Sequence, residues 1–360
     1  MNEGGQNDIV IPVAEFGRQV FVDPERQRAF DEVGYVVLPL LEPDAVATLR
    51  DWYLDRAGDQ GPNPPGAYND TYAEFSVVHS YPEFRREAYD HICGVLAEPL
   101  SDVVEAYRPL VANYVNKPAG TGVVPTHQNW AVVDEAEFQS ISVWVALVDC
   151  VVDNGAMYLM DGSHRHLRGP RGQWSYSAFL DVEESDAQTQ MTPVCVMAGE
   201  AVILDDAVLH YSPPNQTDEA RLAIQFVMVP DEAPAFYHHL ASEADGIGVV
   251  ETWAVTAPFF FDFWNDVGDP DYGELVRTFE APRPRYRSDV LSALAGGDPI
   301  PLADPGPSTA VGADPVRAPD SQATNPESSG DEAGGSGASR VSAMSAGRQL
   351  RARVAARLRR

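Results

Sequence analysis

Residues 140–160 read SISVWVALVDCVVDNGAMYLM, and this stretch decides the class of fold. Two short apolar runs, the first rich in Val, Ile and Trp and the second containing Met, Tyr and Leu, flank the tripeptide Asp153-Asn154-Gly155. Asn and Gly tolerate the positive φ angles of a tight turn, whereas β-branched and aromatic residues favour extended chain. The stretch therefore predicts two short strands that are joined by a turn.

The same pattern extends through the region from Val111 to Val229. Short apolar runs separated by turn residues predict strands over 112–116, 128–133, 140–147, 156–160, 194–197, 201–204 and 222–229. Because no helical segments alternate with these strands, the pattern argues against a parallel α/β sheet and favours a sandwich or a barrel.

The N-terminal region is predicted to be helical. Asp23-Pro24 and Glu42-Pro43-Asp44 each place a capping or acidic residue beside a proline, which is typical of a helix start. Further helices are expected over 82–96 and 100–107. The sequence thus predicts a mainly β protein with N-terminal helices packed on an all-β core.

Composition divides the chain of 360 residues into three parts. Residues 1–295 are expected to form one folded domain, residues 296–346 a disordered linker rich in Gly, Pro, Ser and Asp, and residues 347–360 a basic, Arg-rich tail. The tail is predicted either to contact an acidic partner or a membrane surface, or to fold back loosely on the acidic body.

Charge and cysteine content limit the partners and the compartment. With 54 acidic and 25 basic residues the net charge is −29, so we expect no nucleic-acid binding by the main body. Lys117 is the single lysine. The sequence shows no secretory signal and no transmembrane segment, and its three cysteines do not suggest a disulfide framework, so a cytoplasmic protein is expected.

Two histidines stand out as candidate metal ligands. His127 lies in PTHQNW at the head of the predicted strand 128–133, and His210 lies near the end of residues 199–215, GEAVILDDAVLHYSPPN. Arg221 follows His210 by eleven residues. A jelly roll brings such distant strands side by side, and two histidines with one oxygen ligand describe a non-haem iron site.

The sequence resembles the phytanoyl-CoA dioxygenase family of Fe(II)/2-oxoglutarate oxygenases over roughly residues 28–230. The resemblance lies in three motifs: Lys117-Pro-Ala-Gly with His127-Gln-Asn; VWVALVD at 143–149 with Asn154-Gly155 and GSHR at 162–165; and Gly199, HYS at 210–212 and Arg221. It implies a double-stranded β-helix (a jelly-roll or cupin-like core) in residues 1–295, with the helices packed on it.

The resemblance also implies the cofactors and the residues that hold them. His127 and His210 would bind Fe(II), and Arg221 would pair with the distal carboxylate of 2-oxoglutarate, which suits the planar donors of a guanidinium. The remaining matched positions would support that carboxylate or lie near the co-substrate: Ser212, Lys117, Gln128 and Trp144.

One position departs from the family pattern, which is His-x-Asp where this chain has His127-Gln128-Asn129. Asn129 is one candidate for the third ligand, although a neutral amide oxygen binds Fe(II) more weakly than a carboxylate does. Alternatively Asp134 or Glu135 substitutes, but these lie about 16–20 Å further along an extended chain. In the third alternative the site is degenerate and the protein is a catalytically impaired binding or scaffold protein.

The function implied by the resemblance is a dioxygenase that uses O2 to hydroxylate or otherwise oxidise a small organic substrate, such as a natural-product intermediate, with release of succinate and CO2. An acyl-CoA substrate is disfavoured because the acidic body does not attract its phosphates. Loops at 57–80, 164–190 and 235–270 are expected to build the pocket mouth, and a basic loop with Arg165, Arg168 and Arg171 is expected to meet an anionic group.

Overall fold

The computed structural model describes residues 17–60, 73–79, 81–172, 189–244, 247–262 and 273–282. The predicted linker 296–346 and basic tail 347–360 lie outside these ranges, so the division of the chain into three parts stays a prediction. The helices in the described ranges are α1 (Pro24–Val33), α2 (Pro43–Gln60), α3 (Pro82–Ser101) and α4 (Ala257–Asp262). None of them is long and apolar enough to cross a membrane.

Strands make up most of the described core. They are β1 (Tyr35–Pro39), β2 (Glu74–Phe75), β3 (Tyr107–Lys117), β4 (Val124–His127), β5 (Ile141–Ala146), β6 (Met157–Leu159), β7 (Thr192–Val194), β8 (Glu200–Asp205), β9 (His210–Ser212), β10 (Arg221–Pro230), β11 (Ala235–Ala244), β12 (Ile247–Val255) and β13 (Glu274–Pro282).

Two antiparallel sheets form the jelly roll. The larger sheet has the strand order β1-β8-β5-β10-β3-β2, and the smaller has the order β4-β9-β6-β7. Their inner faces share one apolar cluster, in which Trp144 and Ala223 of the larger sheet meet Met157, Leu159 and Val194 of the smaller one. The prediction of a mainly β, jelly-roll protein is therefore confirmed.

The N-terminal helices cover the outer face of the larger sheet. Alternate residues of β10 point outward, and Ile224 and Phe226 pack there with Leu49 of α2 and Ile92 of α3. The intervening residues of β10 point between the two sheets, which places Arg221 inside the roll. Alternation along β10 thus directs its apolar side chains toward the helices and the side chain of Arg221 into the interior of the roll.

The predicted start of α1 is confirmed in atomic detail. The Asp23 side chain accepts a hydrogen bond of 2.8 Å from the backbone N–H of Glu25, as an N-cap residue does. Gly34 ends the helix with a φ of 93°, a left-handed conformation that glycine adopts without strain.

Two of the sequence-based expectations about secondary structure are wrong. The region 128–133 is not a strand, because the side chains of Gln128 and Asn129 bond to other segments and the backbone N–H of Ala131 donates to the carbonyl oxygen of Arg171. His127 therefore ends β4 instead of leading a later strand. The helix expected over 100–107 is also absent, since α3 continues past Pro99 to Ser101 and β3 begins at Tyr107.

The region 235–270 contains regular structure that the sequence did not predict. Strands β11 and β12 form a long antiparallel hairpin, and β13 pairs with β12 to complete a three-stranded sheet. Helix α4 follows β12, and its Phe260 is buried against Leu110, Val227 and Val229. The described residues of this segment thus form two strands of a third sheet and a short helix where a variable loop was expected.

Candidate metal and co-substrate site

The two candidate metal-ligating histidines lie directly opposite each other. Strand β4 pairs with β9, and His127 and His210 are partners in the register. Both residues are buried, and their ring centres are 4.2 Å apart. Two imidazoles that bind one ion through nitrogens at roughly 2.1 Å have ring centres about 4–5 Å apart. The spacing of the two rings therefore fits a shared metal ion.

Backbone carbonyl groups fix the orientation of both rings. The Nδ1 atom of His127 lies 2.7 Å from the carbonyl oxygen of Pro125, and Nδ1 of His210 lies 2.9 Å from that of Val208. Because a carbonyl oxygen only accepts, each Nδ1 carries the proton, and each Nε2 keeps its lone pair. This tautomer is the one that a metal-binding imidazole needs.

Both histidines are neutral at neutral pH. Burial, and secondarily the neighbouring His210, holds the pKa of His127 well below its usual value. Burial lowers the pKa of His210 to about 4. A neutral imidazole is the form that binds a metal. Because both rings are already neutral, neither has to release a proton when the metal binds.

Asn129 lies two residues after His127, and hydrogen bonds define the orientation of its carboxamide. Its Nδ2 atom donates to Oγ of Ser142 at 2.9 Å and to Oδ1 of Asp206 at 3.0 Å. Its Oδ1 atom accepts a long bond of 3.4 Å from Gln225. The amide nitrogen is thus committed to Asp206 and Ser142, which leaves the oxygen as the atom of Asn129 that is suited to a cation.

Neither of the two acids considered as substitutes for Asn129 is directed at the histidine pair. Both oxygens of Glu135 pair with Arg171 at 2.6 Å. Asp134 caps the N–H of Ala136 and lies 3.8 Å from Arg277. Within the described ranges, no group of three His, Cys, Asp or Glu residues is placed to hold a metal. The third ligand position therefore has no carboxylate among the described residues.

Two buried basic side chains lie in the same interior as the histidines. Arg221 at the start of β10 is the register partner of Lys117 at the end of β3. Lys117 is 0% exposed and Arg221 is 2% exposed. Among the residues that the structure describes, no carboxylate forms an ion pair with either of them, and Nε of Arg221 is buried without a hydrogen-bond partner. A buried guanidinium beside a buried amine that can take up a proton is a site for an anion.

The guanidinium of Arg221 is held by an aromatic ring and a thiol. Its Cζ atom lies 5.0 Å from the ring centre of Trp144, and its Nη1 atom lies 3.8 Å from Sγ of Cys150. Stacking on Trp144 orients the guanidinium plane without neutralising its charge. Trp144, which the sequence predicts to lie near the co-substrate, thus lies against Arg221.

Lys117 is fixed by backbone carbonyl groups of the segment that follows His210. Its Nζ atom donates to the carbonyl oxygen of Ser212 at 3.1 Å and also to that of Pro213. Burial, together with the nearby Arg221, lowers the pKa of Lys117 to about 6. A bound anion would offset both effects, because it would supply the countercharge that the pocket lacks.

Gly155 has a packing role in addition to its place in the turn. It adopts a φ of +85°, and a Cβ atom there would lie 2.7 Å from the carbonyl oxygen of Pro213 and 3.0 Å from Nζ of Lys117. Ser212 donates from Oγ to the carbonyl oxygen of Gly155 at 2.8 Å. The turn predicted at Asn154-Gly155 therefore also closes the site around the lysine.

Gln128 has a structural connection that the sequence did not suggest. Its Nε2 atom donates to the carbonyl oxygens of Leu167 and Ala207, at 2.7 Å in each case. These bonds join the chain after β4 to two other loops. Sequence reasoning also did not identify Cys150, Asp206 or Gln225, since each of them reaches the site only through strand pairing or a turn.

Strand β9 connects the two halves of the site. His210 and Ser212 are separated by one residue on this strand, so their side chains lie on the same face. The histidine pair is thus adjacent to Lys117 and Arg221 in the interior of the roll. This arrangement defines a jelly-roll protein with an oriented imidazole pair beside a buried anion-binding site.

Comparison with known proteins assigns the family. The family model described as Phytanoyl-CoA dioxygenase (PhyH) matches residues 30–223, which is more than half of the chain. The protein therefore belongs to the phytanoyl-CoA dioxygenase family, as the motifs predicted.

Curated relatives share moderate similarity with part of the chain. Phytanoyl-CoA dioxygenase domain-containing protein 1 of Danio rerio is 28% identical over 169 residues, which cover 43% of this chain and 56% of the relative. The protein of the same name from Bos taurus is 27% identical over 187 residues, covering 49% and 59% respectively. The chain thus spans somewhat more than half the length of these relatives.

Two solved structures share the fold at low sequence identity. The non-heme alpha ketoglutarate dependent carbocyclase SnoK from nogalamycin biosynthesis is 20% identical, with a TM-score of 0.44 and coverage of 61% of this chain and 90% of SnoK. HygX from Streptomyces hygroscopicus with nickel and 2-oxoglutarate bound is 21% identical, with a TM-score of 0.42 and coverage of 59% and 88%.

Proposed function

We propose that this protein is a non-haem Fe(II)/2-oxoglutarate-dependent dioxygenase that hydroxylates or otherwise oxidises a small organic substrate. The observation that carries the proposal is the oriented pair of His127 and His210 beside the buried basic side chains of Lys117 and Arg221. In this proposal the third ligand of Fe(II) is the side-chain oxygen of Asn129.

The donor set fits a divalent metal ion, although it binds less strongly than two histidines and a carboxylate. Two neutral imidazoles with Nε2 lone pairs suit Fe(II), and the amide oxygen of Asn129 is a neutral ligand of the same hard type. When bound, Fe(II) supplies the redox chemistry that couples oxidation of 2-oxoglutarate by O2 to oxidation of a substrate C–H bond. In a hydroxylation, one oxygen atom enters succinate, the other enters the substrate, and CO2 leaves.

The protein itself contributes the placement of 2-oxoglutarate. The distal carboxylate would be held by Arg221, by Ser212 once its hydroxyl turns from the carbonyl oxygen of Gly155, and by Lys117. It would supply a countercharge to the buried guanidinium and favour protonation of the lysine. Trp144 would orient the guanidinium from one side. Gln128 would lie near the co-substrate, where its hydrogen bonds to the carbonyl oxygens of Leu167 and Ala207 hold two loops in place.

The structure favours an uncharged substrate over a polyanionic one. The acidic body repels phosphates, and two of the three arginines of the expected basic loop are paired with buried carboxylates. Arg168 pairs with Asp205 at 2.5 Å, and Arg171 pairs with Glu135. We therefore propose a small organic molecule, such as a natural-product intermediate, and not an acyl-CoA.

A second candidate function is that of a binding or scaffold protein with impaired turnover. The observation in its favour is Asn129, because a neutral third ligand holds Fe(II) less tightly than an aspartate does. The intact, buried arrangement of Lys117, Ser212 and Arg221 opposes it, since a scaffold has no need of a site for a dicarboxylate.

Succinate formation separates the two candidates. Purified protein is supplied with Fe(II), 2-oxoglutarate and O2, and succinate is quantified in parallel for Arg221→Gln and for the control Arg56→Gln, which changes an exposed arginine that pairs with Glu87. We expect succinate from the wild type and the control and a large loss in Arg221→Gln. If neither the wild type nor Asn129→Asp forms succinate, the oxygenase proposal fails and the scaffold function is favoured.

A further inference from the structure

The carboxylate nearest to the proposed third ligand belongs to Asp206, in the turn between β8 and β9. Asp206 is completely buried, and its Oδ1 atom accepts hydrogen bonds from Nδ2 of Asn129 at 3.0 Å and from Oγ of Ser142 at 2.6 Å. In the family pattern the residue at position 129 is an aspartate. In this chain position 129 is Asn129, and the buried carboxylate of Asp206 is hydrogen-bonded to it.

The direction of these hydrogen bonds fixes the amide of Asn129. Ser142 donates its only hydrogen to Asp206, so its oxygen accepts from Nδ2 of Asn129. Both hydrogens of that nitrogen are then used. A flipped amide would set its oxygen against the oxygen of a carboxylate, which is repulsive. The amide oxygen consequently points away from Asp206.

A second contact holds the amide from its other side. Nε2 of Gln225 donates to Oδ1 of Asn129 at 3.4 Å, and Oε1 of Gln225 accepts from Asn113 at 3.1 Å. The donors run in one direction from Asn113 through Gln225 and Asn129 to Asp206. Such a chain polarises each amide in the same sense and increases the negative partial charge on its oxygen.

We propose that Asp206 is the positioning residue of the metal site, which holds the oxygen of Asn129 toward the ion and supplies, from behind the amide, the negative charge that the family aspartate supplies directly. This inference rests on the proposed function. In it, the usual ligand position carries the amide, and the adjacent buried position carries the charge.

A double-mutant cycle on Asn129 and Asp206 tests the inference with Mn(II) alone as the probe. The bound ion is counted by the loss of the free Mn(II) signal in electron paramagnetic resonance, with no 2-oxoglutarate, substrate or turnover. We expect Asp206→Asn to lower Mn(II) affinity at least tenfold, because a neutral side chain at this position no longer fixes or polarises the carboxamide of Asn129. In the Asn129→Asp background we expect the same Asp206→Asn change not to lower affinity, since the ligand then carries its own charge.

The control is Asp205→Asn, which removes a neighbouring buried carboxylate that bonds to Arg168 and Gln139. Thermal unfolding of each variant checks that the fold persists, and the double variant keeps the test valid if Asp206→Asn alone unfolds. Unchanged affinity in Asp206→Asn, or an equal loss in both backgrounds, would overturn the inference. Absence of Mn(II) binding in every protein would instead contradict the proposed metal site.

Discussion

The buried side chain of Lys117 gives a sharp test of the anion-binding half of the site. Its pKa is lowered from 10.5 to about 6, chiefly by burial. In the unfolded chain the same amine is fully exposed and protonated at neutral pH. At a pH between these two pKa values, Lys117 is protonated in the unfolded state and neutral in the folded state. Raising the pH through this window therefore stabilises the folded, ligand-free protein.

The magnitude follows from the linkage between proton binding and stability. One group contributes about 1.4 kcal/mol per pH unit to the free energy of unfolding while only one of the two states is protonated. From pH 7 to pH 9 the wild type should gain roughly 3 kcal/mol from this group alone. Lys117→Met removes the titrating amine, so we expect the variant to lack this gain.

The assay is urea denaturation of wild type and Lys117→Met at pH 7, 8 and 9, without 2-oxoglutarate. Groups that titrate in this range away from Lys117 contribute equally to both proteins and cancel in the difference, and the neighbouring thiol of Cys150 is removed from both by Cys150→Ala. The difference in unfolding free energy should change by about 3 kcal/mol in favour of the wild type across this range. Parallel pH profiles would refute a buried, neutral Lys117.

Three further outcomes are expected from the same structure. Arg221→Lys should weaken 2-oxoglutarate binding about tenfold to a hundredfold in calorimetry, since an ammonium cannot replace the guanidinium fork; equal affinity would contradict this role. Binding of 2-oxoglutarate at pH 8 should take up a proton at Lys117, which calorimetry in buffers of different ionisation enthalpy measures; no uptake would contradict it. Arg171→Ala should cost about 3–5 kcal/mol in urea unfolding by leaving Glu135 buried and unpaired; a loss below about 1 kcal/mol would contradict it.

The sequence predicted the parts of the site that depend on strand patterning and short motifs. The predicted jelly roll and the order and spacing of the motifs were enough to expect His127, His210 and Arg221 in one interior. The structure brings both histidines together and places Arg221 beside Lys117. Each of these side chains lies in a strand or at its end, where the local residue pattern already determines which way it points.

The parts that the sequence did not predict depend on contacts between distant segments. The amide orientation of Asn129 is set by Asp206, and Arg168 and Arg171 of the basic loop are neutralised by Asp205 and Glu135. No local pattern encodes such pairings. The strand predicted over 128–133 was wrong for the same reason. Side-chain hydrogen bonds from Gln128 and Asn129 to other loops take the place of backbone pairing with a neighbouring strand.

The most direct test of the central proposal is an anaerobic titration with Fe(II) and 2-oxoglutarate, followed by visible absorption. We expect a weak charge-transfer band that appears only when both are present, and we expect His210→Ala to abolish it because one of the two imidazoles is lost. Absence of the band in the wild type, or its persistence in His210→Ala, would contradict a metal and co-substrate site at this pair of histidines.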